Sequence, residues 1–71
     1  MSKNVIIFGK ETCPYTNKAC EIYARRGFTV EYLEVTKDEA LLQQMLVYTE
    51  GKRVVPVIVE GENVSIGYGG T

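Results

Sequence analysis

The sequence contains no histidine among its 71 residues. Histidine is the commonest general base of enzymes, a frequent zinc ligand and the side chain that titrates near neutral pH. Its absence excludes a catalytic triad built on histidine. Any chemistry must therefore use cysteine, lysine, arginine, tyrosine, threonine or carboxylate side chains.

Cysteine is also scarce, since the chain has only two, Cys13 and Cys20. Two cysteines are too few for the disulfide framework of a small secreted protein. Without histidine, they also cannot complete a four-ligand zinc site within one chain. We therefore expect no metal cofactor.

A strong net charge and long apolar runs are missing as well. Eight Lys and Arg against nine Asp and Glu leave a net charge of −1, which disfavours electrostatic binding to nucleic acid or acidic membranes. The apolar run at residues 5–8 is too short for a signal sequence or a membrane span. We expect a cytoplasmic monomer that binds neither nucleic acid nor membranes.

The hydrophobic pattern predicts one small domain over residues 1–71, with elements in the order β-α-β-α-β-β. The predicted strands are 5–8, 28–35, 54–59 and 64–66, and the first predicted helix is 14–26. A strand-helix-strand unit makes parallel strands, and a terminal hairpin adds an antiparallel one. We expect an α/β fold with a mixed four-stranded sheet, whose two helices could pack on one face.

Two local signals mark element boundaries in the second half of the chain. Thr36 and Glu39 form a T-x-x-E capping box, which predicts that the second helix begins there and continues to Gly51. Pro56 interrupts the third strand near its start, which favours a strand edge, a strand beginning or a special turn.

Cys13 immediately precedes Pro14, at the junction of the first strand and the first helix. Helix N-termini present unpaired N–H groups and a partial positive charge, and both stabilise a thiolate. Lys10 adds a positive charge if its side chain points the same way. A thiolate of lowered pKa on a loop is a nucleophile for disulfides. A lone cysteine is often a small buried hydrophobe instead, and position alone leaves both interpretations open.

Cys20 falls on the apolar face of the first helix, where we expect a packed and unreactive thiol. Seven helical residues separate the two cysteines by about 10 Å, whereas a disulfide needs Cα atoms within about 7 Å. We therefore predict a one-thiol mechanism at Cys13. Thr16 occupies the place of the second cysteine of a C-x-x-C motif, where its hydroxyl could donate to the thiolate or simply belong to the first helical turn.

The segment K-E-T-C-P-Y at residues 10–15 resembles the active-site region of the glutaredoxin family, which belongs to the thioredoxin-like superfamily. The segment 55–57, V-P-V, resembles the family's loop with a cis-proline beside the thiol, and the glycines from Gly67 onward are similar to its glutathione site. The C-P-Y-T motif and the ending I-G-Y-G-G-T most resemble very small members, many of which carry selenocysteine as the nucleophile.

This resemblance implies a minimal thioredoxin-like fold without the C-terminal helix of larger members. It implies Cys13 as the nucleophile, supported by Lys10, Pro14, Tyr15 and Thr16. It also implies glutathione as a co-substrate and, as protein partners, chains that carry glutathione or disulfides. The implied glutathione contacts are Lys10, Tyr15, Arg53, Val55, Pro56, Gly67, Gly69 and Gly70.

Three departures from the family pattern affect these expectations. Thr16 replaces the second cysteine of dithiol members, Val54 replaces the usual threonine before Val-Pro, and no acidic pair follows the C-terminal glycines. The amine end of glutathione therefore lacks its usual partner, although backbone N–H groups could still bind a carboxylate.

Three other functions stay open at this point. The chain could bind and deliver a [2Fe–2S] cluster between two subunits, although its Pro14–Tyr15 pair does not resemble the motif of such members. It could be a protein hydrogen donor served by thioredoxin reductase, although a second active-site cysteine is missing. It could also bind partners without turnover.

Overall fold

The computed structural model describes residues 3–67. These residues form four strands and two helices in the predicted order β-α-β-α-β-β. The strands are β1 (Lys3–Gly9), β2 (Phe28–Glu34), β3 (Val57–Glu60) and β4 (Asn63–Ile66), and the helices are α1 (Pro14–Arg25) and α2 (Glu39–Thr49). Neither helix is long and apolar enough to cross a membrane.

The sheet is mixed and has the strand order β2-β1-β3-β4. β1 pairs in parallel with β2 over its whole length, so Gly9 lies opposite Glu34. β3 runs antiparallel to β1 and begins at the same edge, with Val57 opposite Phe8. The segments that follow β1 and β2 and the segment that precedes β3 therefore meet at one edge of the sheet.

The two helices pack on opposite faces of the sheet, so the expectation that they could share one face was wrong. The α1 face of the core contains Val5, Ile7, Ala19 and Ile58, and the α2 face contains Phe8, Val35, Met45, Val57 and Val59. Successive side chains of a strand point to opposite faces. The continuous apolar run of β1 therefore supplies both cores, and each face needs its own helix.

β4 is the least covered strand of the described residues. Val64 and Ile66 are 40% and 49% exposed, respectively. No third helix lies over β4 within residues 3–67, in agreement with the minimal architecture expected from the sequence.

Helix α2 begins two residues later than the capping box predicted. Asp38 is its N-cap, and its Oδ1 accepts a hydrogen bond of 2.9 Å from the Ala40 N–H. The Thr36 hydroxyl cannot serve as the cap because it donates to the Glu34 carboxylate instead. At the other end, Glu50 adopts the left-handed conformation (φ 57°) and terminates the helix before Gly51.

Gly9 allows α1 to approach the end of β1 closely. A Cβ atom added at Gly9 would lie 2.3 Å from Cγ2 and 2.6 Å from Oγ1 of the buried Thr16 side chain. The hydrogen atom that stands in place of a side chain at Gly9 therefore lets the first turn of α1 sit directly on the sheet.

We expect Gly9→Ala to lower the free energy of unfolding by about 2 kcal/mol, because a tightly packed core accommodates an extra methyl poorly. Urea denaturation measures the loss. In a Thr16→Ala background the same substitution is expected to cost clearly less, since the two closest atoms are gone. Equal losses in both backgrounds would show that contact with Thr16 is not the cause.

Candidate active site

Cys13 is the N-cap residue of α1, with an extended backbone (φ −91°, ψ 115°) and Pro14 as the first helical residue. Proline has no N–H, so the first free N–H groups of the helix belong to Tyr15 and Thr16, and both lie near enough to the Cys13 sulfur to lower the pKa of its thiol. The Cys13 N–H donates to the Lys10 carbonyl over 3.0 Å. The sulfur thus occupies the place that a serine or aspartate oxygen takes at an ordinary helix start.

The pKa of the Cys13 thiol lies below the usual value for cysteine. Partial burial acts to raise this pKa, but the Thr16 hydroxyl, the N–H groups of Thr16 and Tyr15 and the charge of Lys10 together outweigh it. No acidic side chain lies in the first turn of α1 to oppose them. The site therefore favours the thiolate, the form of cysteine that attacks disulfides.

The Thr16 hydroxyl is a hydrogen-bond donor held beside the sulfur. Thr16 is fully buried, and its Oγ1 has no partner of good hydrogen-bond geometry among the described residues. The same hydroxyl nevertheless lies near enough to Cys13 to favour its charged form. Both observations are explained if the neutral thiol is too weak an acceptor for the Thr16 hydroxyl and only the thiolate accepts its hydrogen bond. Because a buried hydroxyl without a partner is unfavourable, this arrangement favours ionisation of the Cys13 thiol.

Residues 10–13, between β1 and α1, form the active-site loop. A groove of about 640 Å³ runs beside the active-site loop, between that loop and α2. Its walls carry three cations, Lys10, Lys37 and Arg53, together with the carboxylates of Asp38 and Glu39 and the side chain of Val55. A negatively charged group on an extended ligand would find its partners among these cations.

The segment before β3 forms the other border of the site. The Val55–Pro56 peptide bond is cis, and Pro56 is buried. The Pro56 carbonyl accepts a bond of 2.7 Å from the Gly67 N–H. By contrast, neither the N–H nor the carbonyl of Val55 bonds to another backbone group in residues 3–67. Among the residues that the structure describes, nothing on the backbone therefore competes with an extended ligand for the Val55 peptide groups.

Cys20 lies in a different environment from Cys13. Its half-buried side chain packs against the α1 side of the core, and burial raises the pKa of its thiol. Both cysteines are free thiols. They belong to one unbroken helix and its N-cap, so about 10 Å of helical rise separates them.

The structure brings most of the sequence-predicted site residues to one edge of the sheet. Lys10 and Thr16 act on Cys13, Tyr15 is 41% exposed next to it, and Arg53 and Val55 share the groove with Lys10. Gly67 lies at this edge with its N–H already bonded. The predicted contacts at Gly69 and Gly70 lie outside the described residues.

Lys37 is the groove cation that the sequence analysis did not predict. It follows β2 on the segment that leads into α2. Its place beside Lys10 becomes evident only when the parallel pairing of β1 and β2 is known. Within residues 3–67, no group of three or more His, Cys, Asp or Glu side chains is arranged to hold a metal ion.

Comparison with known proteins identifies the family. The glutaredoxin family model matches residues 5–64. The chain belongs to the glutaredoxin family. No curated protein sequence is significantly similar to it.

Solved structures agree with this assignment. NrdH-redoxin from Escherichia coli, a glutaredoxin-like protein with a thioredoxin-like activity profile, superimposes with a TM-score of 0.76 at 20% identity, over 90% of this chain and 82% of its own. A glutaredoxin from Archaeoglobus fulgidus superimposes with a TM-score of 0.74 at 28% identity, over 90% of this chain and 74% of its own. Buckwheat glutaredoxin in complex with glutathione superimposes with a TM-score of 0.72 at 22% identity, over 92% of this chain and 61% of its own. The fold is thioredoxin-like, and the protein is a thiol–disulfide oxidoreductase.

Proposed function

We propose that this glutaredoxin is a glutathione-dependent oxidoreductase that uses Cys13 as its only catalytic thiol. The observation that carries the proposal is the Cys13 sulfur at the N-terminus of α1, beside a groove with three cations and a free peptide segment. Its preferred substrates are mixed disulfides between glutathione and a protein.

The reaction proceeds in two exchange steps. The Cys13 thiolate attacks the glutathione sulfur of the mixed disulfide, so a new disulfide forms between Cys13 and glutathione. The protein leaves as a thiolate and takes a proton from water. A second glutathione thiolate then attacks the glutathione sulfur on Cys13, which yields oxidised glutathione and restores the Cys13 thiolate. Neither step needs a second protein thiol.

The position of Cys20 supports a mechanism with one thiol. A disulfide requires Cα atoms within about 7 Å, and the continuous helix from Pro14 to Arg25 keeps the two cysteines further apart than this. Thr16, one turn after Cys13, supplies a hydroxyl where a resolving cysteine would lie. The disulfide between Cys13 and glutathione is therefore resolved by a second glutathione and not by a protein thiol.

The groove supports glutathione as the ligand. Glutathione is an extended tripeptide with a carboxylate at its glycine end. With its sulfur at Cys13 and its central peptide paired with Val55, that carboxylate would reach the cations Lys10, Lys37 and Arg53. In the buckwheat glutaredoxin complex the bound ligand is likewise glutathione.

The decisive experiment is turnover of a glutathionylated peptide by the native chain, coupled to glutathione reductase and NADPH. A parallel assay replaces glutathione and its reductase with thioredoxin reductase. We expect activity in the first assay and none in the second. Activity only with thioredoxin reductase would refute the glutathione dependence and favour the protein hydrogen donor. The fold of this chain resembles that of NrdH-redoxin, which has a thioredoxin-like activity profile.

Arg53 and Lys52 offer a matched test of the groove. They are exposed neighbours, but only Arg53 lines the groove. We expect Arg53→Ala to raise the KM for glutathione about threefold with little change in kcat, because an exposed ion pair contributes less than about 1 kcal/mol. Lys52→Ala is expected to match the parent. Equal effects of the two substitutions, or none, would place the glycine carboxylate elsewhere.

A further inference from the structure

The backbone of Glu11, two residues before Cys13, is held on both sides by side chains, one at its N–H and one at its carbonyl. Its N–H donates to Oε1 of Glu34 over 2.9 Å, and its carbonyl accepts a bond of 3.0 Å from Nδ2 of Asn17. Glu34 is the last residue of β2, and Asn17 belongs to the first turns of α1. The active-site loop is thus fastened to the two elements on either side of it.

Glu34 is itself fixed by two hydroxyl groups. Its carboxylate accepts hydrogen bonds from the Tyr32 and Thr36 hydroxyls as well as from Glu11. The Thr36 and Tyr32 hydroxyls hold the pKa of Glu34 below its usual value, while burial and then the Glu34 bond raise the pKa of Tyr32. Glu34 is therefore ionised, and Tyr32 protonated, at neutral pH.

Two further contacts join the end of β1 and the active-site loop to the segment after β2. The Val35 N–H donates to the Gly9 carbonyl over 3.0 Å. The Lys37 ammonium lies 3.6 Å from the Glu11 carboxylate, in an exposed pair that contributes little by itself. The carboxylate of Glu34, bonded to Thr36 and to Glu11, is the central link between the loop that carries the thiol and the wall of the groove.

We propose, on the basis of the proposed role of Cys13 as nucleophile, that Glu34 and Asn17 clamp the Glu11 backbone and hold the loop so that the sulfur lies near the first N–H groups of α1 and the charge of Lys10. Glu34 and Asn17 are positioning residues, because neither touches the sulfur. Glu34 carries a negative charge that by itself disfavours a nearby thiolate. Its presence beside the loop is explained by its role as an acceptor.

This opposition of charge and position makes the clamp testable. Glu34→Gln removes the charge but keeps a carbonyl oxygen for the Glu11 N–H, and the Thr36 hydroxyl can reverse to accept from the new amide. Glu34→Ala removes both the charge and the acceptor. Asn17→Ala releases the Glu11 carbonyl with no change of charge. Glu31→Ala, on the same strand, removes a carboxylate outside the clamp.

The measurement is the pH dependence of Cys13 alkylation by iodoacetamide, followed by mass spectrometry in a Cys20→Ser background. We expect the midpoint of Glu34→Ala to lie at higher pH than that of Glu34→Gln. Below the midpoint, Cys13 of Glu34→Ala is expected to be alkylated about twofold more slowly than Cys13 of Glu34→Gln, because loss of alignment with a helix terminus has modest effects. The midpoint of Asn17→Ala is expected to lie at higher pH than that of the parent. The midpoint of Glu31→Ala is expected to equal that of the parent.

Coincident midpoints for Glu34→Ala and Glu34→Gln, or an unshifted Asn17→Ala, would overturn the clamp. Urea denaturation of each variant identifies any that fails to fold, and Asn17→Ala, whose side chain is exposed, decides if Glu34→Ala is lost. Alkylation requires no glutathione. If the variants show the expected midpoints but the native chain shows no turnover with glutathione, the proposed function is refuted and the clamp is retained.

Discussion

Cys13→Ser is expected to abolish the reduction of a glutathionylated peptide, with a loss of more than about a thousandfold. A serine hydroxyl is hardly ionised at neutral pH, even at a helix N-terminus, so the attacking anion disappears. Loss of the nucleophile commonly removes nearly all of the rate enhancement of an enzyme. The coupled assay with glutathione reductase and NADPH measures the loss.

Cys20→Ser is the matched control for this substitution. Burial raises the pKa of the Cys20 thiol, and its side chain packs against the α1 side of the core. We expect nearly parental turnover, with a small loss of stability from the polar hydroxyl. Mass spectrometry after treatment with oxidised glutathione is expected to find one glutathione, attached to Cys13. Equal damage from the two substitutions would refute the one-thiol mechanism.

Local patterns of the sequence were sufficient to predict the element order and the location of Cys13 at the start of the first helix. The apolar run before Gly9, the proline after Cys13 and the hairpin around Gly61 each act within a few residues, and all lie where they were expected. The start of α2 was missed for a reason that is also physical. Thr36 had a competing acceptor in Glu34, and Asp38 was an equally good cap.

Features that depend on three-dimensional pairing could not be predicted in the same way. The sides on which α1 and α2 pack follow from the crossover geometry, and hydrophobic periodicity does not distinguish them. The Lys37 and Glu34 side chains reach the active-site loop because β1 and β2 end in register, Gly9 beside Glu34. From the sequence alone, these residues lie more than twenty positions after Cys13 and belong to no motif.

Thr16→Val is expected to move the midpoint of Cys13 ionisation to higher pH. Valine has the shape of threonine but no hydroxyl, so the thiolate loses one of the groups that lower the pKa of Cys13. A hydrogen bond to a charged group contributes enough to lower the thiolate fraction about tenfold at pH values below the midpoint. Thr16→Ser keeps the hydroxyl and is expected to retain a midpoint near that of the parent.

The rate of disulfide exchange is expected to change less than the thiolate fraction, because a thiolate of higher pKa is a stronger nucleophile. Reduction of the glutathionylated peptide by Thr16→Val should therefore be about threefold slower below the midpoint and equal or faster well above it. The two pH profiles are expected to cross. Parallel profiles would show that the substitution damages the site at every pH and does not act through ionisation.

Stability separates this electrostatic role from ordinary packing. In the thiol form, the Thr16 hydroxyl is buried without a well-placed partner among the described residues, and replacing such a group by a methyl is neutral or stabilising. At a pH below the midpoint, where Cys13 is a thiol, we expect Thr16→Val to unfold in urea at the same or a higher concentration than the parent, while its midpoint of ionisation rises. An unchanged midpoint would leave Thr16 as a packing residue of the first helical turn, held against Gly9 and without influence on the thiolate.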